Sequence, residues 1–330
     1  MNELRADWQP SCTLQMLRLR AQMLSKIRQF FAVRGVLEVE TPLLCQATGT
    51  DPHLDFFATD YDLSAKQSLT LYLQTSPEFA MKRLLAAGSG SIYQVSKAFR
   101  NGESGRFHNP EFTILEWYRV GYDLSSLMIE VDALIAYLFA DIRVLQATQK
   151  VSYQHTFQDY TGLNPLVFAY DDYVAYAAEN GLIDAKAVCG LEHTAWLDFI
   201  FSHQIQPHLG HNALCMVYGY PACMPSLARL NADNPLVSER VELFIDGVEL
   251  GNGFHELCDV TEQRQRFDHE IALRKVRQRP HVAKDERFLA ALTFGLSDCS
   301  GIAIGLDRLL MLESGCSTID DVLAFSISRA

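Results

Sequence analysis

Phe99-Arg100-Asn101-Gly102-Glu103-Ser104-Gly105-Arg106-Phe107-His108-Asn109-Pro110-Glu111-Phe112 is the stretch on which the reading of this chain turns. Its arginines, histidine, glycines and aromatic residues lie between strand-like apolar runs at 92–95 and 112–115. That arrangement suits a loop joining two strands and wrapping an anionic, planar ligand. Arginine forks match phosphate oxygens. Aromatic faces stack on a base. Glycines let the backbone turn tightly and come close. A nucleoside triphosphate satisfies all three.

Outward from that loop, the pattern predicts an α+β chain with a mainly antiparallel sheet. Residues 1–10 read as a loose polar start. From Thr13 an amphipathic helix follows, with Leu14, Leu17, Ala21, Leu24, Ile27 and Phe31 as its apolar stripe and Ser11 or Thr13 as its cap. Gly35 stops it, and 36–41 reads as a strand that Pro42 ends. Residues 69–73 read as another strand, and Ser76-Pro77-Glu78 opens a helix. Residues 125–140 read as a helix with Leu127, Val131, Leu134, Ile135 and Leu138 on one face. Residues 146–235 contain several short helical patterns. Asp246-Gly247, between apolar runs over 241–254, predicts a hairpin. Residues 268–278 read as a charged helix, 302–304 as a short strand and 307–312 as the start of a helix.

The chain has 330 residues, 48% of them apolar, which is enough for a large core. Its 28 basic and 40 acidic residues give a net charge of -12, so it has no broad electrostatic footprint for nucleic acid. No signal pattern opens it, and no apolar run is long enough for a membrane span. The segment 133–145 is apolar in parts, but Asp141 and Arg143 interrupt it. The eight cysteines form no CxxC pair and no zinc-like spacing, which fits small buried residues or incidental thiols in a reducing cytosol.

Two constellations carry chemistry. Arg308 follows Gly301-Ile302-Ala303-Ile304-Gly305-Leu306-Asp307, a glycine-spaced strand running into a helix. That places Arg308 at a helix N-terminus, where dipole and free amides favour phosphate. Arg100 or Arg308 alone could be a structural ion pair; their two contexts together favour phosphate. In the hairpin, a two-residue turn sets Phe244 against Glu249 and Glu242 against Gly251, so Glu242 and Glu249 share a face. Two such carboxylates suit Mg²⁺ beside substrate phosphates, although spacing alone favours a solvated acidic face. Simple alternation puts Glu256 on the opposite face unless Gly251-Asn252-Gly253 bulges.

The stretch 99–112 resembles motif 2 of the class II aminoacyl-tRNA synthetases in its lysine-type form. Residues 301–308 resemble motif 3, and 35–42 after the long helix resemble motif 1. Ser76-Pro77-Glu78 and Gly251-Asn252-Gly253-Phe254-His255-Glu256-Leu257 match the lysyl branch. The resemblance runs from about residue 14 to the C-terminus, with motif 1 about 14–42, motif 2 about 92–118 and motif 3 about 301–312. It implies one catalytic domain over 1–330, an antiparallel sheet flanked by helices, and a homodimer with motif 1 at its interface. About a dozen residues precede the motif 1 helix, where lysyl-tRNA synthetases carry an anticodon-binding OB-fold. Together with the ending 324–330, this is similar to the stand-alone paralogues that join (R)-β-lysine to a lysine side chain of elongation factor P.

That resemblance implies a cytoplasmic, ATP- and Mg²⁺-dependent ligase, with elongation factor P as partner and no stable tRNA or membrane binding. Arg100 would hold the α-phosphate and the carboxylate side of the reacting centre, and Arg308 the γ-phosphate. Phe112 would stack on adenine, with Asn101, His108 and Asn109 on ATP and Glu249, Leu250 and Gly305 lining the nucleotide site. Glu242 and Glu249 would bind Mg²⁺. Ser76, Pro77, Glu78, Glu116, Tyr118, Asn252, Glu256 and Ala303 would form the amino-acid pocket, where carboxylates meet the ammonium groups of lysine or β-lysine. Two positions depart from the lysyl pattern. Gly102 stands where motif 2 usually has a glutamate, and Ala303 where lysyl-tRNA synthetases usually have glycine.

Three other readings share the fold: a tRNA-charging lysyl enzyme, an ammonia-dependent asparagine synthetase and a non-catalytic ATP-binding regulator. The acidic balance argues against the first. The carboxylates Glu78, Glu116 and Glu256 argue against the second, and the retained Arg100, Arg308, Glu242 and Glu249 against the third.

Overall fold

The computed structural model describes residues 6–140 and 142–330; residues 1–5 of the expected loose start, and Asp141, lie outside them. The chain divides into two bodies. One takes Met1–Gly121, Cys258–Cys299 and Ala303–Ala330, the other Tyr122–Leu257 and Ser300–Ile302. In chain order the elements are α1 (Leu14–Ala32), β1 (Leu37–Glu38), β2 (Leu44–Cys45), β3 (Ala58–Ser64), β4 (Gln67–Leu73), α2 (Glu78–Ala86), β5 (Ile92–Phe99) and β6 (Glu111–Val120). Then follow α3 (Leu124–Phe139), β7 (Gln146–Ser152), α4 (Tyr153–Thr161), α5 (Tyr170–Glu179), α6 (Ala185–Cys189), α7 (His193–Ile200), β8 (Ala213–Tyr218), β9 (Arg240–Ile245) and β10 (Val248–His255). The last are α8 (Val260–Val276), α9 (Glu286–Phe294), β11 (Cys299–Gly305) and α10 (Leu306–Ser314).

In the first body the strands run β1-β5-β6-β11, and a smaller sheet runs β2-β4-β3. β5 and β6 pair antiparallel from Ile92↔Tyr118 to Phe99↔Glu111, so the arginine-rich stretch is their connecting loop, as expected. Thr13 caps α1 by accepting from the Met16 amide. The helix buries Met16, Met23, Ile27, Phe30 and Phe31, whereas Leu14, from the expected stripe, is 67% exposed. Phe31 stacks on Tyr93 of β5 at 4.4 Å and meets Trp117 of β6 at 5.4 Å, which fixes the helix on the sheet. The expected strand over 36–41 is regular only at Leu37–Glu38. One more ladder bond, Val39 N to Tyr93 O, follows it, and then the Thr41 hydroxyl bonds Gln94 Oε1 instead of the backbone continuing the ladder.

The second body has the run β10-β9-β8-β7. The apolar face foreseen for α3, Leu127 to Leu138, is buried, and Asp123 caps the helix through Ser126 N. The segment 146–235 contains β7, β8 and helices α4 to α7 around an aromatic core that includes Tyr153, Phe157, Tyr173, Trp196, Phe201, Tyr220 and Phe244. The sheet is mixed rather than antiparallel throughout: β1 joins β5, and β7 joins β8, in parallel. Both parallel pairs are reached by long crossovers that carry helices, as parallel pairing requires.

Asp246 and Gly247 have φ of 50° and 75° and form the two-residue turn of the β9–β10 hairpin. Phe244 faces Glu249 as foreseen. A bulge between Glu249 and Gly251 then shifts the register, so Glu242 faces Asn252 and not Gly251. The extra residue reverses alternation beyond it. Asn252, Phe254 and, one step further, Glu256 lie on the face of Glu249, so of the two arrangements left open by the sequence the bulged one is present and simple alternation does not hold.

Candidate active site

The first body holds an anion-seeking cluster. Gly305 is the N-cap of α10 and makes no side-chain bond to its first turn, and Arg308 stands in that turn, where the helix dipole favours an anion. Asp307, 2% exposed, accepts from Thr113 N of β6 at 2.6 Å and from Arg20 of α1, and so fixes the helix start against both elements. Arg308 Nη2 lies 2.7 Å from His108 Nε2, and its Nε donates to Phe107 O at 3.3 Å. Because arginine only donates, His108 accepts at Nε2 and its proton sits on Nδ1. The Arg100 guanidinium lies 5.0 Å from the Phe112 ring centroid and 3.8 Å from Glu103. Its Nε is buried without a hydrogen-bond acceptor among the described residues. A buried guanidinium donor left open is a strong anion attractor.

The same body holds a carboxylate pocket. The Ser76 hydroxyl accepts from Glu78 N at the start of α2 and donates to Glu116 Oε2 at 2.7 Å. Tyr118, two residues along β6, donates to Glu116 Oε1 at 2.6 Å. Burial, and then the charge of Glu78, push the Glu116 carboxyl up to about 7. Glu78 Oε1 is 2.6 Å from Lys82 Nζ, and Lys82 is 1% exposed. Pro77 is the N-cap of α2, and Ala303 is half-buried on β11.

In the second body the hairpin carries Glu242 and Glu249 on one face. Arg240 Nη2 reaches Glu242 Oε1 at 2.5 Å, and the Tyr220 hydroxyl donates to Glu242 Oε2. Burial pushes Glu242 up to about 7; Arg240 opposes this and Glu249 adds to it. Arg240 Nε also donates to Asn252 Oδ1 at 3.2 Å, tying two expected site residues together. Glu256 is 1% exposed, and Leu250 is buried at the bulge. Among the described residues no three His, Cys, Asp or Glu side chains form a ready metal cage. Two carboxylates on one face still meet the demand of Mg²⁺, which takes one or two protein carboxylates together with substrate phosphates.

Asn109 has a structural commitment as well. Its amide donates to Glu111 O at 2.6 Å and its Oδ1 accepts from Ile327 N at 3.0 Å. Asn101 N donates to Asp55 O, so its backbone is anchored outside its own loop. Gly102 has φ 82°, a left-handed conformation in which a glutamate side chain would be strained. Lys82, Arg240, Tyr220 and Asp307 escaped the sequence reading. Only Lys82 left a signal, the i,i+4 spacing from Glu78. The eight cysteines are free thiols. No helix among the described residues is long and apolar enough to cross a membrane.

The family model for class II tRNA synthetases (D, K and N) matches residues 5–329. A relative from Proteus mirabilis (strain HI4320), named elongation factor P–(R)-beta-lysine ligase, is 46% identical over 333 residues, covering 100% of both chains. Relatives of the same name from Salmonella dublin and Haemophilus influenzae (strain PittGG) are 44% and 43% identical, each covering 98% of this chain and 99% and 98% of their own.

Proposed function

This chain belongs to the class II tRNA synthetase family (D, K and N), and from that premise we propose that it is an ATP-dependent ligase that adenylates (R)-β-lysine, or lysine, and passes it to a lysine side chain of elongation factor P. Full-length relatives that carry that name support the substrate and the acceptor. The observation that carries the adenylating step is the buried Nε of Arg100, a donor with no acceptor among the described residues, beside the Phe112 ring.

In the first step a carboxylate oxygen of the amino acid attacks the α-phosphorus. The bridging P–O bond to the β-phosphate breaks, and pyrophosphate leaves. Arg100 neutralises charge at the α-phosphate as the new bond forms, and Arg308 holds the γ-phosphate, with His108 orienting its guanidinium. Phe112 offers a face for adenine. Glu78 and Glu116 take the ammonium groups, as do Glu256 and Asn252. Glu242 and Glu249 would hold Mg²⁺, which when bound offsets the charge of the triphosphate. No protein nucleophile is required; positioning and charge neutralisation supply the rate. In the second step the ε-amine of the acceptor lysine attacks the acyl carbon, AMP leaves, and the amine gives up its proton. We assign the enzyme to the cytoplasm as a homodimer that does not hold tRNA.

ATP–pyrophosphate exchange with (R)-β-lysine and with lysine tests the first step, and the mass of elongation factor P after incubation tests the second. No exchange with either amino acid overturns the reading. Transfer of label to tRNA instead of protein replaces the acceptor.

A further inference from the structure

The segment 50–56, between β2 and β3, is held by the C-terminal half of α8. Arg274, 1% exposed, donates from Nη1 to Asp51 O at 2.6 Å and Leu54 O at 2.8 Å, and from Nε to Pro280 O at 3.1 Å. Its Nη2 lies 3.8 Å from Asp55 Oδ1, and its guanidinium carbon lies 4.9 Å from the Phe56 ring centroid. One turn earlier on α8, Glu270 accepts from the Thr50 hydroxyl. Just past the helix, Arg279 Nη1 bonds Asp55 Oδ2 at 2.5 Å.

The far side of this segment meets the phosphate loop. Asp55 O accepts from Asn101 N at 3.0 Å, and the two residues form an isolated antiparallel bridge. Arg100, one residue before, donates its own N to Pro110 O at 2.9 Å. The backbone carrying Arg100 is thus bonded on one side to its own hairpin and on the other to a segment pinned by α8.

We propose that Arg274 is a positioning residue for Arg100, acting through Asp51–Asp55 and the Asp55–Asn101 bridge. Arg274 touches no reacting atom in this assignment, and the proposal rests on the role given to Arg100 above. Burying a guanidinium against backbone carbonyls is costly, and an apolar side chain would fill the same space at less expense. What the fork adds is direction. Three carbonyls at fixed angles are gathered by one rigid plane, which the point charge of a lysine cannot reproduce.

The test uses the full chain with Arg274→Lys and, should that variant fold poorly, Asp55→Ala on the less buried side of the network. Both are read by ATP–pyrophosphate exchange per titrated active site and by equilibrium binding of (R)-β-lysine. The expected result is a kcat lower by about 10- to 100-fold, the loss that a misplacement of about 1 Å gives, with amino-acid affinity unchanged within about twofold. Placed in an Arg100→Ala background, either substitution adds little further loss, because its effect runs through Arg100. Folded variants that keep the original kcat, or that lose as much in the Arg100→Ala background as in the original, overturn the positioning role while the ligase reading stands. No exchange by the unsubstituted enzyme overturns both.

Discussion

Tyr118 and Glu116 are bonded two residues apart on one strand, hydroxyl to Oε1 at 2.6 Å, and that bond does not keep the carboxyl acidic. Burial outweighs it, Glu78 adds like charge, and Glu116 stands at about 7 against an ordinary 4.5. Between those values the folded protein holds a proton that the unfolded chain has released. The substrate-free protein therefore loses stability as pH rises through that window, and the group's contribution is whole only below 4.5. Binding a diamino acid runs the other way, since an ammonium group needs the ionised carboxylate. Below pH 7 the Kd of (R)-β-lysine should rise by roughly tenfold per unit until other groups titrate. Calorimetric titration across that range checks it. A Glu116→Gln variant should bind weakly and without this slope; a slope that persists in the variant removes Glu116 from the pocket.

Lys82 gives the second prediction. It is buried against Glu78 at 2.6 Å, so Lys82→Met should leave a largely buried carboxylate without its cation. The expected loss is about 3 kcal/mol of unfolding free energy in urea, at the low end for a broken buried pair because Glu78 keeps some exposure. Adding Glu78→Gln should recover more than half of it, since the uncompensated charge goes. Purely additive losses would mean that the pair is not coupled.

These two residues also mark how far the sequence can be read. The hairpins at 92–120 and 240–255 were legible because alternation and turn chemistry act locally. The first half of α8 was not, because its inward face carries Gln263 beside Phe267 and shows no apolar period. Simple alternation misplaces Glu256 because one bulged residue at Leu250 reverses every later side chain; Gly251-Asn252-Gly253 marks where a bulge fits but not that one forms. Arg240 and Tyr220 come to Glu242 by tertiary packing alone.

Arg308 and His108 give the third prediction. Arg308→Lys keeps the charge but loses the planar fork and with it the 2.7 Å bond to the imidazole. Exchange kinetics should show kcat/KM for ATP down by about 100-fold, the scale on which one charge-stabilising donor counts. The apparent KM for (R)-β-lysine should stay unchanged. If the amino acid's KM moves instead, Arg308 does not serve the nucleotide.

Gly253 gives the last. A Cβ added there would sit 2.8 Å from Ile302 Cβ, 2.9 Å from its Cγ1 and 3.0 Å from Gly301 O, all closer than side chains pack. Two of those neighbours cannot rotate away, so Gly253→Ala must push β10 from residues 301–302, at a cost of about 1–3 kcal/mol. Gly105→Ala is the control: nothing lies within 4 Å of its added Cβ, and its φ is not left-handed. Its effect should stay within about 0.5 kcal/mol. In an Ile302→Ala background the Gly253→Ala penalty should shrink without vanishing, because the Cγ1 contact goes while Cβ and the Gly301 carbonyl remain. Urea unfolding of the four variants decides it. Equal losses at Gly253 and Gly105 would mean that β10 has room it is not expected to have.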